Sequence, residues 1–305
     1  MALYDIIRKK YGDLLMFSSE ILFLKHLEYL RTEFFNNFFE GITILGEETI
    51  YIILICIIYF IFDKKLAQKL FFIAATSIGI NCIIKNTVKL PRPFSDGKVT
   101  CVRPETATGY SFPSGHTQNT ATCSSAFAII FKKCSLIIFA VITTLLVGFS
   151  RLYLGAHYPS DVICGIILGV GLSYFFNHLY DKTENKNILY LITGIIITVF
   201  AVIYMFNPDP NFIDFYKFYG LFLGFIFAVN FEEKFVSFDY SCSIIKKIFR
   251  VIIGVTLSFV LKEAIKLLFS TSSIRLLFAL NSLRYFILVA VVFGILPMVF
   301  KKLNM

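Results

Sequence analysis

The chain has 305 residues, 57% of them hydrophobic and only 16% charged, with a mean hydropathy of +0.75. That is too apolar for a soluble globular protein of ordinary composition, and a polytopic membrane protein is the class that fits. The formal net charge is +9, but Lys and Arg are spread between apolar runs instead of forming one stripe, which argues against a nucleic-acid partner and for membrane topology and an anionic ligand.

Near the N-terminus the basic cluster Arg8, Lys9 and Lys10 is succeeded by Asp13, Glu20, Lys25 and Glu28. These charges break up the stretch where an apolar signal core would have to lie, so no cleavable signal peptide is expected and insertion falls to internal spans. From Ile21 to Phe39, Leu24, Leu27, Leu30, Phe34, Phe35 and Phe38 recur at helical spacing, while Lys25, Glu28, Arg31 and Glu33 take the other faces. The pattern predicts an amphipathic helix lying in the membrane interface. A transmembrane helix needs about 20 mostly apolar residues. Nine such runs are expected, at 42–62, 70–88, 115–131, 134–154, 161–179, 188–206, 215–230, 249–268 and 279–299. The expected fold class is all-α: a polytopic transmembrane helical bundle of about nine spans, with an N-terminal interfacial amphipathic helix.

Orientation comes from the short basic connections. Lys64, Lys65 and Lys69, then Lys132 and Lys133, Lys182 and Lys186, Lys246, Lys247 and Arg250, and finally Lys301 and Lys302 all fall on one side of a nine-span chain. That side is assigned to the cytoplasm; the Arg8-Lys9-Lys10 cluster, which falls on the other, is the exception. The seven cysteines (Cys56, Cys82, Cys101, Cys123, Cys134, Cys164 and Cys242) lie mostly inside apolar runs and form no C-x-x-C pair. Neither a zinc site nor a disulfide framework is indicated, and packing is their expected role.

Three polar groups gather on the external side: Lys85 with Arg92-Pro93, Pro113-Ser114-Gly115-His116, and Ser150-Arg151 with His157 and Asp161 just beyond. A phosphoryl group in its transition state spreads negative charge over three oxygens, and Lys85, Arg92 and Arg151 supply fixed donors for them without a metal. Arg adds a planar bidentate fork, and Pro91 and Pro93 stiffen the backbone around Arg92. Ser114 reads as the N-cap of the helix running to Phe131, whose first N–H groups would face an anion. The Ser114 hydroxyl and the Gly115 amide would complete the cradle, and the absent side chain at Gly115 lets an oxygen approach closely. Asp161, four residues after His157, is placed to fix the imidazole tautomer and free the other nitrogen to attack phosphorus. His116 is then the general acid that protonates the leaving oxygen and later activates water. Each piece alone has a plainer reading, as a cap, a packing histidine or a snorkelling cation; the combination on one face favours a site. His26 and His178 are expected to be structural.

These motifs resemble the type-2 phosphatidic-acid phosphatase superfamily, whose Lys-x6-Arg-Pro, Pro-Ser-Gly-His and Ser-Arg-x5-His-x3-Asp signature is matched without substitution across roughly residues 20 to 180. The resemblance implies phosphate binding by Lys85, Arg92, Ser114, Gly115 and Arg151, acid catalysis by His116, nucleophilic attack by His157 and orientation of that imidazole by Asp161. Pro93, Pro113 and Ser150 become structural neighbours of the site, and no metal or other cofactor is implied. The chain is expected to divide into an N-terminal segment with the interfacial helix, 1–40, a catalytic core, 41–187, and an accessory transmembrane bundle, 188–305. The expected function is a multi-pass cell-membrane phosphatase acting at the external face on a lipid phosphate or diphosphate, with the bilayer and the phosphorylated lipid as partners and no nucleic acid. Two alternatives stand beside it: a phosphatase for a small soluble phosphoester such as a sugar phosphate, and a non-catalytic phosphate-lipid binding or transport protein. Substrate headgroup and protein partners are left open.

Overall fold

The computed structural model describes residues 16–239, 241–268, 271 and 273–303; the Arg8-Lys9-Lys10 cluster and Asp13 lie outside them. Among the described residues every regular element is helical and none is a strand. The chain divides into two compact units, Met1–Ile50 with Ile80–Leu179, and Tyr51–Gly79 with Tyr180–Met305. Residues from Pro104 to Thr106 form a short 3-10 turn within the first.

In the first unit the segment predicted as one interfacial helix is two, α1 (Met16–Tyr29) and α2 (Glu33–Thr43). The break has a local cause: Thr32 is extended and its hydroxyl accepts from the Phe35 amide at 3.3 Å, an N-cap that starts a new helix. The apolar stripe is split accordingly. Leu24 and Leu27 pack in a buried cluster with Leu90, Val99 and Tyr158, whereas Leu30, Phe34, Phe35 and Phe38 are exposed. A 3-10 turn, Ile44–Gly46, leads on to α3 (Glu48–Ile57). Helix α4 (Lys64–Val88) carries residues of both units, and Lys85 lies in its last turn.

Helices α5 (Gly115–Phe131) and α6 (Cys134–Tyr153) form an antiparallel hairpin. Only Lys132 and Lys133 separate them; Lys132 takes the left-handed conformation, φ 52°, and returns its N–H to the Ala128 carbonyl at 3.0 Å. So tight a turn brings the start of α5 and the end of α6 to one end of the unit. A second tight turn then leads to α7 (Pro159–Lys182). At its centre Gly155 has φ +73°, and a Cβ there would collide with the Thr100 carbonyl oxygen, so both the backbone and the space require glycine. Arg31 fastens the loop over this turn, donating through Nε to the Tyr153 carbonyl at 2.9 Å and through Nη1 to the Thr100 carbonyl at 3.0 Å. Gly165 and Gly169 then let α7 press on α5: a Cβ at Gly169 would lie 2.5 Å from that of Ala121, and one at Gly165 2.9 Å from the Ser114 carbonyl oxygen.

The second unit contains α8 (Lys186–Phe206), α9 (Ile213–Phe231), α10 (Ile244–Leu268), α11 (Ile274–Val289) and α12 (Leu296–Lys302). Its core is aromatic, with Phe72, Phe215, Phe222 and Tyr190 fully buried. Gly220 and Gly224 bring α9 against the Ser282 and Phe286 backbone of α11. The buried Glu232 carboxylate is fully engaged: Lys64 Nζ lies 2.9 Å away and the Phe238 amide 2.6 Å.

Among the described residues six helices are long and apolar enough to cross a membrane, and a seventh span results if Glu33–Gly46 and Thr49–Phe62 form one broken span. The chain is a multi-pass membrane protein. Two further runs expected as spans are helices that fall short of that standard: α5 has 17 residues, and α10 carries Lys246, Lys247, Arg250, Lys262, Glu263 and Lys266. All seven cysteines are free thiols.

Candidate active site

The end of α4, the 89–114 loop, the start of α5 and the turn between α6 and α7 meet in the first unit, and with them the three sequence motifs. Asp161 joins two of these motifs. Its backbone carbonyl accepts from the Ser114 amide at 3.0 Å, fixing the start of α7 to the start of α5. Its Oδ2 accepts from the Ser111 hydroxyl at 2.5 Å, the Tyr158 amide at 2.9 Å and His157 Nδ1 at 3.1 Å. Helix α7 is capped from outside the motifs, by Glu20 of α1, which accepts from the Ser160 amide at 2.9 Å and hydroxyl at 3.1 Å.

His157 is almost wholly buried between this carboxylate and Arg92, whose Nη1 lies 3.1 Å from Nε2. A guanidinium only donates. Nε2 therefore presents its lone pair to Arg92, and the proton sits on Nδ1, pointing at Asp161. Burial, then the charges of Arg92, Lys85, Arg151 and His116, holds this imidazole well below its ordinary pKa of 6.5. The ring is neutral, with its reactive nitrogen facing the cations.

Carbonyl groups set those cations in place. Arg92 donates through Nε to Gly109 at 3.0 Å, through Nη1 to Ala156 at 3.0 Å and through Nη2 to Thr108 at 2.5 Å. Lys85 reaches the Tyr110 carbonyl at 2.5 Å and that of Ser111 at 3.3 Å. Arg151 is completely buried; Nη1 donates to the Thr43 hydroxyl at 2.9 Å, while Nε and Nη2 have no partner among the described residues. His116 Nε2 is likewise buried and unpartnered. Unpaired buried donors on a cation are costly unless an anion can meet them. A Cβ at Gly115 would lie 3.5 Å from Asn81 Oδ1 and 4.0 Å from Lys85 Cε, so the second motif opens towards the lysine of the first.

Ser114 departs from its expected use. It stands at the N-cap position with an extended backbone, but its hydroxyl makes no capping bond and pairs with Thr117 Oγ1 at 2.9 Å. The short side chain finds a neighbour one turn on and leaves the first amides of α5 uncapped by it. Ser150 donates to the Val147 carbonyl of its own helix at 2.7 Å, Pro113 accepts from Asn81 Nδ2 at 3.4 Å, and Pro93 is buried in the loop. Outside the motifs, Thr43, Ser111 and Gly46 also touch this site, and a Cβ at Gly46 would lie 2.8 Å from that of His116. Among the described residues no three His, Cys, Asp or Glu side chains converge as a metal site. The arrangement combines a neutral, carboxylate-oriented imidazole, a second buried imidazole and three cations, which suits nucleophilic attack on a phosphorus carrying two or more negative charges.

Residues 66–185 match the family described as PAP2 superfamily, and residues 216–305 match PAP2 superfamily phosphatase, transmembrane extension. A probable sphingosine-1-phosphate phosphatase of Dictyostelium discoideum is 24% identical over 218 residues, 64% of this chain, and the chain spans only about half, 52%, of that relative's length. An undecaprenyl-diphosphatase of Sulfolobus acidocaldarius is 27% identical over 49% of this chain and 73% of its own. Phosphatidylglycerophosphatase B of Bacillus subtilis is 31% identical over 171 residues, 51% of this chain and 80% of its own. With that relative covered so fully and both the domain and its transmembrane extension matched, the chain belongs to the PAP2 superfamily.

Proposed function

We propose that this protein is a membrane phosphatase that removes the terminal phosphate of a lipid phosphate or diphosphate through a phosphohistidine, using side chains alone. The observation that carries the reading is His157 held between Asp161 and Arg92, neutral, with Nε2 directed at the cations. The substrate phosphate takes up Arg92, Lys85 and the open donors of Arg151, and Arg92 Nη1 passes from the imidazole to a phosphate oxygen. His157 Nε2 then attacks phosphorus as the bond to the leaving oxygen breaks, and His116 delivers a proton to that oxygen. In the second half His116 takes a proton from water, the hydroxide attacks phosphorus, and the P–N bond breaks to release phosphate and neutral His157. Asp161 keeps Nδ1–H in place and stabilises the imidazolium character that develops.

The exposed apolar faces of α6, α7 and α8 suit an amphiphilic substrate entering from the bilayer, and exposed Phe34, Phe35 and Phe38 suit an interfacial α2. We place the site at the external face, with nine spans, a catalytic core within 41–187 and an accessory bundle over 188–305. The test is phosphate release by detergent-solubilised protein in EDTA from undecaprenyl diphosphate, phosphatidic acid, phosphatidylglycerol phosphate and glucose 6-phosphate. Strong release from a lipid upholds the reading; preference for glucose 6-phosphate replaces the substrate class, and silence on all four leaves a binding protein. His157→Ala should abolish turnover while lipid binding persists, and residual turnover above about one thousandth of wild type contradicts a covalent role.

A further inference from the structure

The phosphatase reading makes His116 the marker of the leaving-group side, because that imidazole protonates the leaving oxygen. The turn after α2 covers this side. Thr43 holds Arg151 at 2.9 Å, and the Gly46 backbone lies directly against His116, where a Cβ would come within 3.0 Å of the His116 carbonyl oxygen. The next residue, Glu47, accepts from Arg103 Nη1 at 3.2 Å, while Arg103 Nε donates to Glu105 at 3.2 Å. Arg103 lies outside all three motifs, in the loop that also carries the carbonyls binding Lys85 and Arg92. Its backbone is braced, the carbonyl accepting from the Thr106 hydroxyl at 3.0 Å. The two glutamates take Nε and Nη1, one donor each of the five on a guanidinium, no partner among the described residues takes Nη2, and the side chain is 21% exposed, so the Nη2 group is open to a ligand.

We infer that Arg103, set beside the leaving-group acid by Glu47, is a subsite for an anionic leaving group: the inner phosphate of a lipid diphosphate, or the phosphodiester of a lipid whose terminal phosphate is removed. This rests on the phosphatase reading and narrows its substrate class. When a diphosphate is cut at its terminal phosphorus, the bond to the bridging oxygen breaks and that oxygen departs on a lipid monophosphate, with the proton from His116. The departing group keeps negative charge for Arg103 to meet. A simple monoester such as phosphatidic acid releases a neutral alcohol, which offers the guanidinium nothing.

The experiment compares kcat/KM of the full chain in detergent for an isoprenyl diphosphate, phosphatidylglycerol phosphate and phosphatidic acid, with Arg103→Gln and Arg103→Lys. Charge-assisted hydrogen bonds of this kind lead us to expect Arg103→Gln to lower diphosphate turnover about ten-fold or more and phosphatidic acid turnover by less than about two-fold. A loss on the diphosphate alone places the second anion next to the bridging oxygen; a loss on phosphatidylglycerol phosphate alone places it a glycerol away, and either upholds the subsite. An equal fall on phosphatidic acid, or no fall on any substrate, overturns it. Inhibition by inorganic phosphate should be unchanged, and a weaker inhibition would move Arg103 into the phosphoryl pocket and likewise overturn the subsite. Should Arg103→Gln not fold, Arg103→Lys carries the test through the same substrate ratio, expected to fall part of the way. A wild type that cleaves none of the three overturns the phosphatase reading and this subsite with it.

Discussion

The acceptor at His157 Nε2 decides what this imidazole can do, and a single contact fixes it. Because Arg92 can only donate, the Nδ1–H tautomer is imposed from one side by a cation and from the other by Asp161. Burial beside cations keeps the ring neutral, so at pH 7 it is ready as a nucleophile. Its folded pKa lies below the unfolded value of about 6.5. The unfolded chain therefore binds the proton first as pH falls, and the stability contributed by this buried neutral ring is present above that range and lost below it. In histidine-labelled protein, with only four histidines to assign, the resonance that disappears in His157→Asn should titrate well below pH 6.5; a midpoint at or above it would refute the neutral ring. Thr43 poses a second question at this scale. Among the described residues its hydroxyl is the one acceptor bound to Arg151, whose other donors stay open. Thr43→Ala should lower kcat/KM about ten-fold and weaken phosphate inhibition in step, while Thr43→Ser retains both. A structural role alone would lower the folded fraction and leave both constants intact, and in an Arg151→Ala background Thr43→Ala should add nothing. Lys85, Arg92, His116, Arg151, His157 and Asp161 were legible in the sequence because their chemistry is unusual in an apolar chain. Thr43 and Ser111 were not, since a lone hydroxyl carries no pattern and acquires meaning only from the neighbour the fold gives it.

At the level of elements, the site exists because two tight turns put the starts of α5 and α7 and the end of α6 together. The packing of α7 on α5 then sets its register through Gly165 and Gly169, four residues apart on one face. Between apolar helices there is little hydrophobic drive to associate, so close backbone approach supplies much of the contact. Gly169→Val would push a side chain into Ala121 and the Gln118 carbonyl, 2.7 Å from the added Cβ. The cost of such overpacking is about 1–3 kcal/mol. We expect a lower melting temperature in detergent together with reduced kcat, because the displaced helix carries Ser114 to His116 at its start. Gly171, two residues on, has nothing within 4 Å of an added Cβ, so Gly171→Val should change neither; equal damage from both would show that the crossing is not what matters. Hydropathy located the helices of this hairpin to nearly their full extent, since apolar runs report length directly. It missed the break at Thr32, where an N-cap hydrogen bond outweighs a continuous apolar stripe, and it missed the glycine crossings, whose role emerges only when the facing helix is known.

For the molecule as a whole, composition pointed to a membrane protein, because 16% charged residues is few for a soluble chain, and the apolar runs of about 20 residues then predicted that it is helical. The number of spans was harder to read. Hydropathy sums a helix without regard to its surroundings, so α5, whose N-terminal half carries Thr117, Gln118, Thr120 and Thr122, all buried, reads as only weakly apolar although that polar face is sheltered by protein. Sidedness depends on the basic connections instead, and the α5–α6 hairpin makes it testable within one unit. Its two ends carry different groups: the Lys132-Lys133 turn with exposed Cys134 at one, and at the other the site, with exposed Ser95 on the adjoining loop. If the basic turn is cytoplasmic, a membrane-impermeant thiol reagent applied to intact cells should modify a single-cysteine variant carrying Ser95→Cys and spare one that retains only Cys134, with both modified after the membrane is opened. The reverse pattern would put phosphate release on the cytoplasmic side. The site geometry would stand unchanged, but substrate would have to reach it from the inner leaflet, and the charge bias of this chain would mark the outside.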